Sequence, residues 1–423
     1  MRHSIGLAAV AAVVLCGSQT AHAQGEAALP RTRPEAVGMS SERLGRIAEV
    51  VNAEIARGQI PGAVLAIARR GKLVYLETFG YRDKSAGVPM STDTIFSVAS
   101  MTKPMTAVAA LHLYEQGRLL MDDPVSTYFP SFGKIQVAVM DAAKTKVIDR
   151  VPTTRPITIQ DLFRHTSGLI YGNRGDTAVH KMYPASSTDA SATLTASELI
   201  EKLSSLPLAH QPGAQWEYGF GLDVLGLVVE KITGQSLDQY LQAHVWAPLG
   251  MTDTSFHVGP ERVARYAKAL PLDPSTGRPQ TVQDLSRPTR FACGGGCATS
   301  TAGDYLRFAS MLLNKGALGE RRVLGRKTVE YMTSNQLPPG LRLSNAGPPD
   351  YGFGLGVAVR TTPGVVRLMG SVGDFTWGGA SGTNWWADPR EELAVVWMAY
   401  SPGPLRLKYR QMINALVYQA IVD

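Results

Sequence analysis

Leu44, Ile47, Ala48, Val51 and Ile55 recur every three to four residues behind Ser40-Ser41 and Glu42. That spacing puts them on one face of a helix running to about Arg57. Pro61-Gly62 breaks the pattern. Two apolar runs follow, Ala63 to Ala68 and Leu73 to Phe79, joined by Arg69-Arg70-Gly71-Lys72. Such runs around a short polar turn predict a strand hairpin. The period then changes. Thr106 to Glu115 reads as helix, and Thr158 with Asp161 and Thr195 with Glu198 form capping pairs ahead of apolar residues. Further helices are predicted from Asp223 through Leu227, Val228 and Ile232 to Gly234, and from Ser236 to His244. Another follows Thr301 and Asp304, carries Tyr305, Phe308, Leu312 and Leu313, and is closed by Gly316. Strand-like runs return at Tyr351 to Val359, Gly382 to Trp386 and Leu393 to Met398. The last two predict a hairpin turning at Asp388-Pro389-Arg390, and Leu405 to Ile421 reads as a closing helix.

Strands at both ends with helices between predict an α+β fold. One antiparallel sheet is built from the N- and C-terminal segments and flanked by helices, with a mainly helical domain inserted. The α/β part is expected at about 24–95 and 340–423, the helical part at about 96–339. Gly352-Phe353-Gly354-Leu355-Gly356 lacks the G-x-G-x-x-G spacing and a following helix, so a tightly packed strand is expected there rather than a nucleotide loop.

Composition narrows the class. A chain of 423 residues, 44% apolar and 18% charged, is that of a globular enzyme able to bury a large core. Its formal charge of +7 is dispersed, without basic runs interleaved with aromatics, which speaks against a nucleic-acid partner. Arg2 and His3 precede an apolar run from Ile5 to Leu15, and Ala21-His22-Ala23 has the small residues of a cleavage site. The expectation is a signal peptide over residues 1–23, cut before Gln24, with export to the periplasm or medium. Leu15 stands before Cys16 where a lipid-attachment site wants a small residue, so lipidation is the weaker reading. The run is short for a membrane span, and stable membrane insertion is not expected. Export permits disulfides. Cys293 and Cys297 flank three glycines; a bridge there closes a tiny loop and needs favourable local geometry, so bridged and free-thiol states both stay open. Two cysteines without a neighbouring His-x-x-His do not make a zinc site.

Candidate chemistry begins at Ser100-Met101-Thr102-Lys103. A serine is a poor nucleophile until a base takes its proton. A lysine three residues on shares its helix face, and a desolvated lysine gives up its proton more readily. The free N–H groups of a helix start favour a developing oxyanion. The bland alternative is an N-cap serine with a snorkelling lysine. Trp216-Glu217-Tyr218-Gly219-Phe220-Gly221 puts a tyrosine on a glycine-flanked loop, able to approach another site closely and to shuttle a proton; a core-packing tyrosine is the alternative. Trp377-Gly378-Gly379-Ala380 lets a strand edge come close to a substrate and offer a second oxyanion N–H, against the alternative of a tight turn beside a buried tryptophan. Tyr171 is a candidate for lining an acyl pocket.

Taken in order, these motifs resemble the serine β-lactamase-like superfamily of class C β-lactamases, D-alanyl-D-alanine carboxypeptidases and family VIII esterases. Leu162-Phe163-Arg164-His165-Thr166-Ser167-Gly168-Leu169, Asp223-Val224-Leu225-Gly226 and Ser300-Thr301-Ala302-Gly303-Asp304 extend the resemblance over nearly the whole mature chain. It implies Ser100 as acylated nucleophile, Lys103 as activator, Tyr218 as proton shuttle, and the N–H groups of Ser100 and Ala380 as oxyanion hole. No metal or organic cofactor is implied. His165 falls in a segment that resembles a structural element of the family, so a Ser-His-Asp triad is the weaker reading.

Two departures point within the family. Phe220 stands where class C enzymes carry the Asn of Tyr-x-Asn, and Trp377 stands where they carry the Lys of Lys-Thr-Gly. An anionic β-lactam loses two anchors and a neutral ester loses neither. Trp377, Gly378, Gly379, Phe220 and Tyr171 are therefore expected to contact substrate. The chain reads as an exported serine carboxylesterase acting on a small-molecule ester. A β-lactamase or DD-peptidase is the nearest alternative, an acyl transfer to an alcohol shares the same residues, and a non-catalytic sensor is the alternative of another class.

Overall fold

Ala63 to Ala68 and Leu393 to Met398, far apart in sequence, are neighbours at the centre of one eight-stranded antiparallel sheet. In the computed structural model, which describes Met1 and residues 29–280, 282–343, 351–364 and 367–423, all sheet strands come from the two ends of the chain. They are β1 (Gly62–Arg69), β2 (Lys72–Asp83), β3 (Val88–Pro89), β4 (Tyr351–Phe353), β5 (Ala358–Arg360), β6 (Phe375–Thr376), β7 (Asn384–Asp388) and β8 (Leu393–Ala399). The spatial order is β4-β5-β6-β7-β8-β1-β2-β3. The expected signal peptide, Met1 apart, lies outside the described residues.

β1 and β8 are buried along their whole length, because both faces of the sheet are covered. Side chains alternate between the faces. Ala63, Leu65, Ile67, Val395 and Trp397 point to a layer made by α1 (Ser41–Ala56), and by the last helix, Leu405–Tyr418. Val64, Ala66, Val396 and Met398 point the other way, into the main core with Tyr305 and Phe308. Three further helices build that core: α2 (Thr102–Glu115), α3 (Gly221–Thr233) and α4 (Ala302–Leu313), with Leu405–Tyr418 as α5. α4 comes from the middle segment yet packs on β1, β7 and β8, so it belongs to the sheet layer as much as to the helical part. α2 packs on α3 and is buried almost all round, which suits its continuous apolar sequence.

Most helix starts follow their caps. Ser40, Thr158, Thr195 and Thr301 each accept a hydrogen bond from the backbone three residues on. Three details differ from the sequence reading. Tyr351 to Val359 is not one strand: Gly356 adopts φ +83°, and the chain folds back so that β4 and β5 pair. The stretch from Ser236 is α-helical only over Leu237–Leu241 and continues as a wider π turn over Gln242–Trp246. The middle segment also holds an unexpected hairpin, Gln136–Met140 with Val147–Pro152. Among the described residues no helix is long and apolar enough to cross a membrane.

Candidate active site

Ala99 carries a side chain yet sits at φ +46°, a left-handed conformation that costs strain outside glycine. The kink turns the chain from the short strand Phe96–Ser97 through the 3-10 turn Ala99–Met101 into α2. Ser100 is left half-buried, with Met101, Thr102 and Lys103 fully buried behind it. The approach is fixed on both sides: Phe96–Ser97 pairs with Thr299–Ser300, and Ser97 N–H donates to Tyr400 Oη at 2.7 Å.

Residues 377–383 run alongside. Ser381 Oγ donates to Ser97 O at 2.9 Å, which stitches this segment to the residues just ahead of Ser100. Arg410 on α5 donates to Gly379 O at 3.0 Å, and Arg406 donates to Ala380 O at 3.1 Å. Burial and the neighbouring Arg406 charge hold Arg410 down to about 9. The Gly379–Ala380 peptide is trans, so gripping its carbonyl turns the Ala380 N–H the opposite way. Among the described residues neither the Ala380 N–H nor the Ser100 N–H has a hydrogen-bond partner. Two such unmatched donors are what an oxyanion site requires.

Lys103 is wholly buried and faces a polar network. Its Nζ donates to Gly295 O at 2.5 Å and to Tyr171 Oη at 3.2 Å. Tyr171 Oη donates to Asp223 Oδ2 at 3.0 Å and lies 2.6 Å from Ser187 Oγ, which itself donates to Asp223 Oδ2 at 2.7 Å. Burial raises the Asp223 carboxyl, opposed by the Lys103 charge and these donors. Burial, then the charge of Asp223, pushes the Tyr171 phenol well up, so Tyr171 stays neutral. Lys103 Nζ also lies 4.4 Å from the centre of the Tyr218 ring. Among the described residues no hydrogen bond joins Ser100 Oγ to Lys103 or Tyr218.

Tyr218 arrives from the loop before α3. The close approach needs Gly219, where a Cβ would stand 2.0 Å from Leu169 O. Tyr218 Oη accepts from Trp377 Nε1 at 3.2 Å. His165 packs on the same ring, with centroids 4.7 Å apart, and accepts at Nδ1 from Gly219 N–H at 3.4 Å. Burial, then the Lys103 charge, pushes this imidazole well below its ordinary value, so it stays neutral. It makes no hydrogen bond to Ser100, and the triad reading has no geometric support.

The structure thus packs Lys103 against Tyr218, with Trp377 on the tyrosine, and ties the segment that carries Ala380 to the residues just ahead of Ser100. Two of the residues expected to contact substrate, Phe220 and Tyr171, lie in the protein interior. Phe220 is fully buried at the N-cap of α3, packed edge-to-face on Tyr171 with ring centroids 4.7 Å apart. Tyr171 is also buried, and its hydroxyl is committed to Lys103 and Asp223. Gly378 is half-buried and covered by the Arg410 guanidinium, while Gly379 is buried and donates to Thr383 O at 2.8 Å. Asp223, Ser187 and Gly295 were not singled out from sequence as site residues. They belong to separate segments and acquire meaning only where the fold joins them. Cys293 and Cys297 are joined in a disulfide.

The Beta-lactamase family profile matches residues 47–418. Protein Rv1367c of Mycobacterium tuberculosis is 38% identical over 350 residues, 81% of this chain and 86% of that protein. Esterase EstB of Burkholderia gladioli is 30% identical over 406 residues, 90% of this chain and 98% of that one. Among solved structures, EstCE1, described as a hydrolase with promiscuous acyltransferase activity, superposes with a TM-score of 0.73 at 26% identity, covering 89% of this chain and 99% of that one.

Proposed function

The chain belongs to the Beta-lactamase family, and on that premise we propose that it is an exported serine carboxylesterase working through an acyl-enzyme on Ser100. The observation that carries this reading is the buried Lys103 Nζ, 4.4 Å from the Tyr218 ring, one helical turn behind a half-buried serine with an unpartnered N–H. Lys103 and Tyr218 take the proton of Ser100 Oγ, which attacks the ester carbonyl carbon. The oxyanion accepts from the Ser100 and Ala380 N–H groups. Tyr218 then protonates the departing alkoxide; water, giving a proton to the same pair, attacks the acyl carbon, the bond to Ser100 Oγ breaks, and that proton returns to Oγ as the acid leaves. Trp377 Nε1 donates to Tyr218 Oη and so fixes where the phenol oxygen sits for both proton transfers.

Esters are preferred over β-lactams because Trp377 and Phe220 replace the cationic and amide anchors of the class C pattern. Comparing p-nitrophenyl butyrate with nitrocefin on the purified protein tests this: ester turnover should dominate. Faster nitrocefin turnover would assign the chain to β-lactam hydrolysis instead. A second reading, acyl transfer to an alcohol, is favoured by the description of EstCE1 and uses the same intermediate. Product analysis with added alcohol separates the two. Export rests on residues 1–23, and N-terminal sequencing of the exported protein should begin at Gln24.

A further inference from the structure

Cys293-Gly294-Gly295-Gly296-Cys297 has no part in the mechanism above, yet it lies against the base. Both cysteines are buried, and their Cα atoms are 5.3 Å apart, an ordinary span for a bridge. Gly295 is the point of contact. Its carbonyl accepts from Lys103 Nζ at 2.5 Å, and its N–H donates to Asp223 Oδ1 at 2.9 Å. Gly294 O accepts from Thr106 Oγ1 at 2.9 Å. Just beyond the bridge, Ala298 N–H donates to Thr102 Oγ1 at 2.9 Å, and Ala298 O accepts from Val98 N–H at 3.0 Å. One short segment thus holds Lys103 and braces both flanks of Ser100.

The approach leaves no room for side chains: a Cβ on Gly295 would stand 2.2 Å from Asp223 Oδ2. Glycine is required, but successive glycines are also the freest stretch a backbone can have. The bridge removes that freedom. A bridge closing so short a loop takes less entropy from the unfolded chain than a long-range one, so its main effect is local order.

We propose that the Cys293–Cys297 disulfide is a positioning clasp for Lys103, holding the Gly295 carbonyl on Nζ so that the enzyme is fully active only in its oxidised form. The proposal rests on the reading of Lys103 as a base for Ser100. A dithiol reductant such as dithiothreitol opens the clasp. The Sγ–Sγ bond breaks, each cysteine gains one electron and one proton, and the reductant loses two of each to become a cyclic disulfide. The freed glycine turn then no longer fixes Nζ.

The test uses oxidised and dithiothreitol-reduced wild type, the Cys293→Ser/Cys297→Ser double variant, and Gly295→Ala, which keeps the bridge but displaces the carbonyl. Thiols are counted after denaturation, and the double variant covers the case in which the buried bridge resists reduction. On p-nitrophenyl butyrate, kcat should fall about 10- to 100-fold in the double variant and in Gly295→Ala. KM should stay within about twofold, since the chemical step and not binding is affected. Reoxidation should restore the reduced wild type. Wild-type kcat in the double variant, or a loss confined to KM or melting temperature, would overturn the clasp. Ser100→Ala and Lys103→Ala run alongside. If both are inactive while the double cysteine variant keeps full activity, the clasp alone fails. If Lys103→Ala is active, the assignment of the base fails and the clasp with it.

Discussion

Among the described residues, Tyr218 Oη receives one side-chain donor, Trp377 Nε1 at 3.2 Å. Tyr218→Phe removes the proton shuttle and should lower kcat about 10²- to 10⁴-fold, with circular dichroism and melting temperature unchanged because the ring still fills its place. Trp377→Phe removes only the donor and should lower kcat about 10- to 100-fold with little change in KM. Retained kcat in Tyr218→Phe would leave Lys103 as sole base. At this scale the sequence was readable where chemistry is local. Ser100 and Lys103 sit three residues apart, and Tyr218 is framed by glycine. The packing of Phe220 was not legible, because a motif position does not say which way a ring faces. As the N-cap of α3 it turns inward against Tyr171. Tyr171, Ser187 and Asp223 form one network from three segments, and no local signal announces it.

Glu54 joins two elements. It lies on α1, buried, and accepts from Lys408 at 2.7 Å and Tyr409 at 2.6 Å on α5, with Arg57 also bound. Burial alone would raise its carboxyl, but these donors outweigh that and bring it down to about 2. The folded value lies below the unfolded one, so the stabilisation is present above about pH 4.5 and is lost as pH falls toward 2. Glu54→Gln should therefore lower stability near pH 7 by about 2 kcal/mol, allowing for solvent screening of the exposed partners. Near pH 2 the two melting temperatures should converge; a constant gap down to pH 2 would contradict the linkage. Helices were legible at this scale through Ser40, Thr158, Thr195 and Thr301, whose caps are short-range devices. The hairpin at Gln136–Met140 was not, because it is largely solvent-facing and lacks a clean apolar alternation. The turn at Gly356 was missed because glycines in an apolar run serve a strand and a turn equally well.

At the scale of the molecule, the two chain ends make one sheet and the middle delivers helices to it. The apolar runs at both ends made that closure legible. What they left unread is how the C-terminal helix serves the site: Arg406 and Arg410 reach from α5 to the carbonyls beside Ala380, joining residues some thirty positions apart. In the proposed mechanism the nucleophile comes from the 3-10 turn ahead of α2, its base from α2, the shuttle from the loop before α3 and the second oxyanion donor from the approach to β7. The central claim is that these converge on Ser100. The most direct measurement is kcat/KM for p-nitrophenyl butyrate in wild type and in Ser100→Ala. A fall of at least about 10³-fold, with the variant's melting temperature unchanged, is the predicted result. Hydrolysis by Ser100→Ala at the wild-type rate would contradict it.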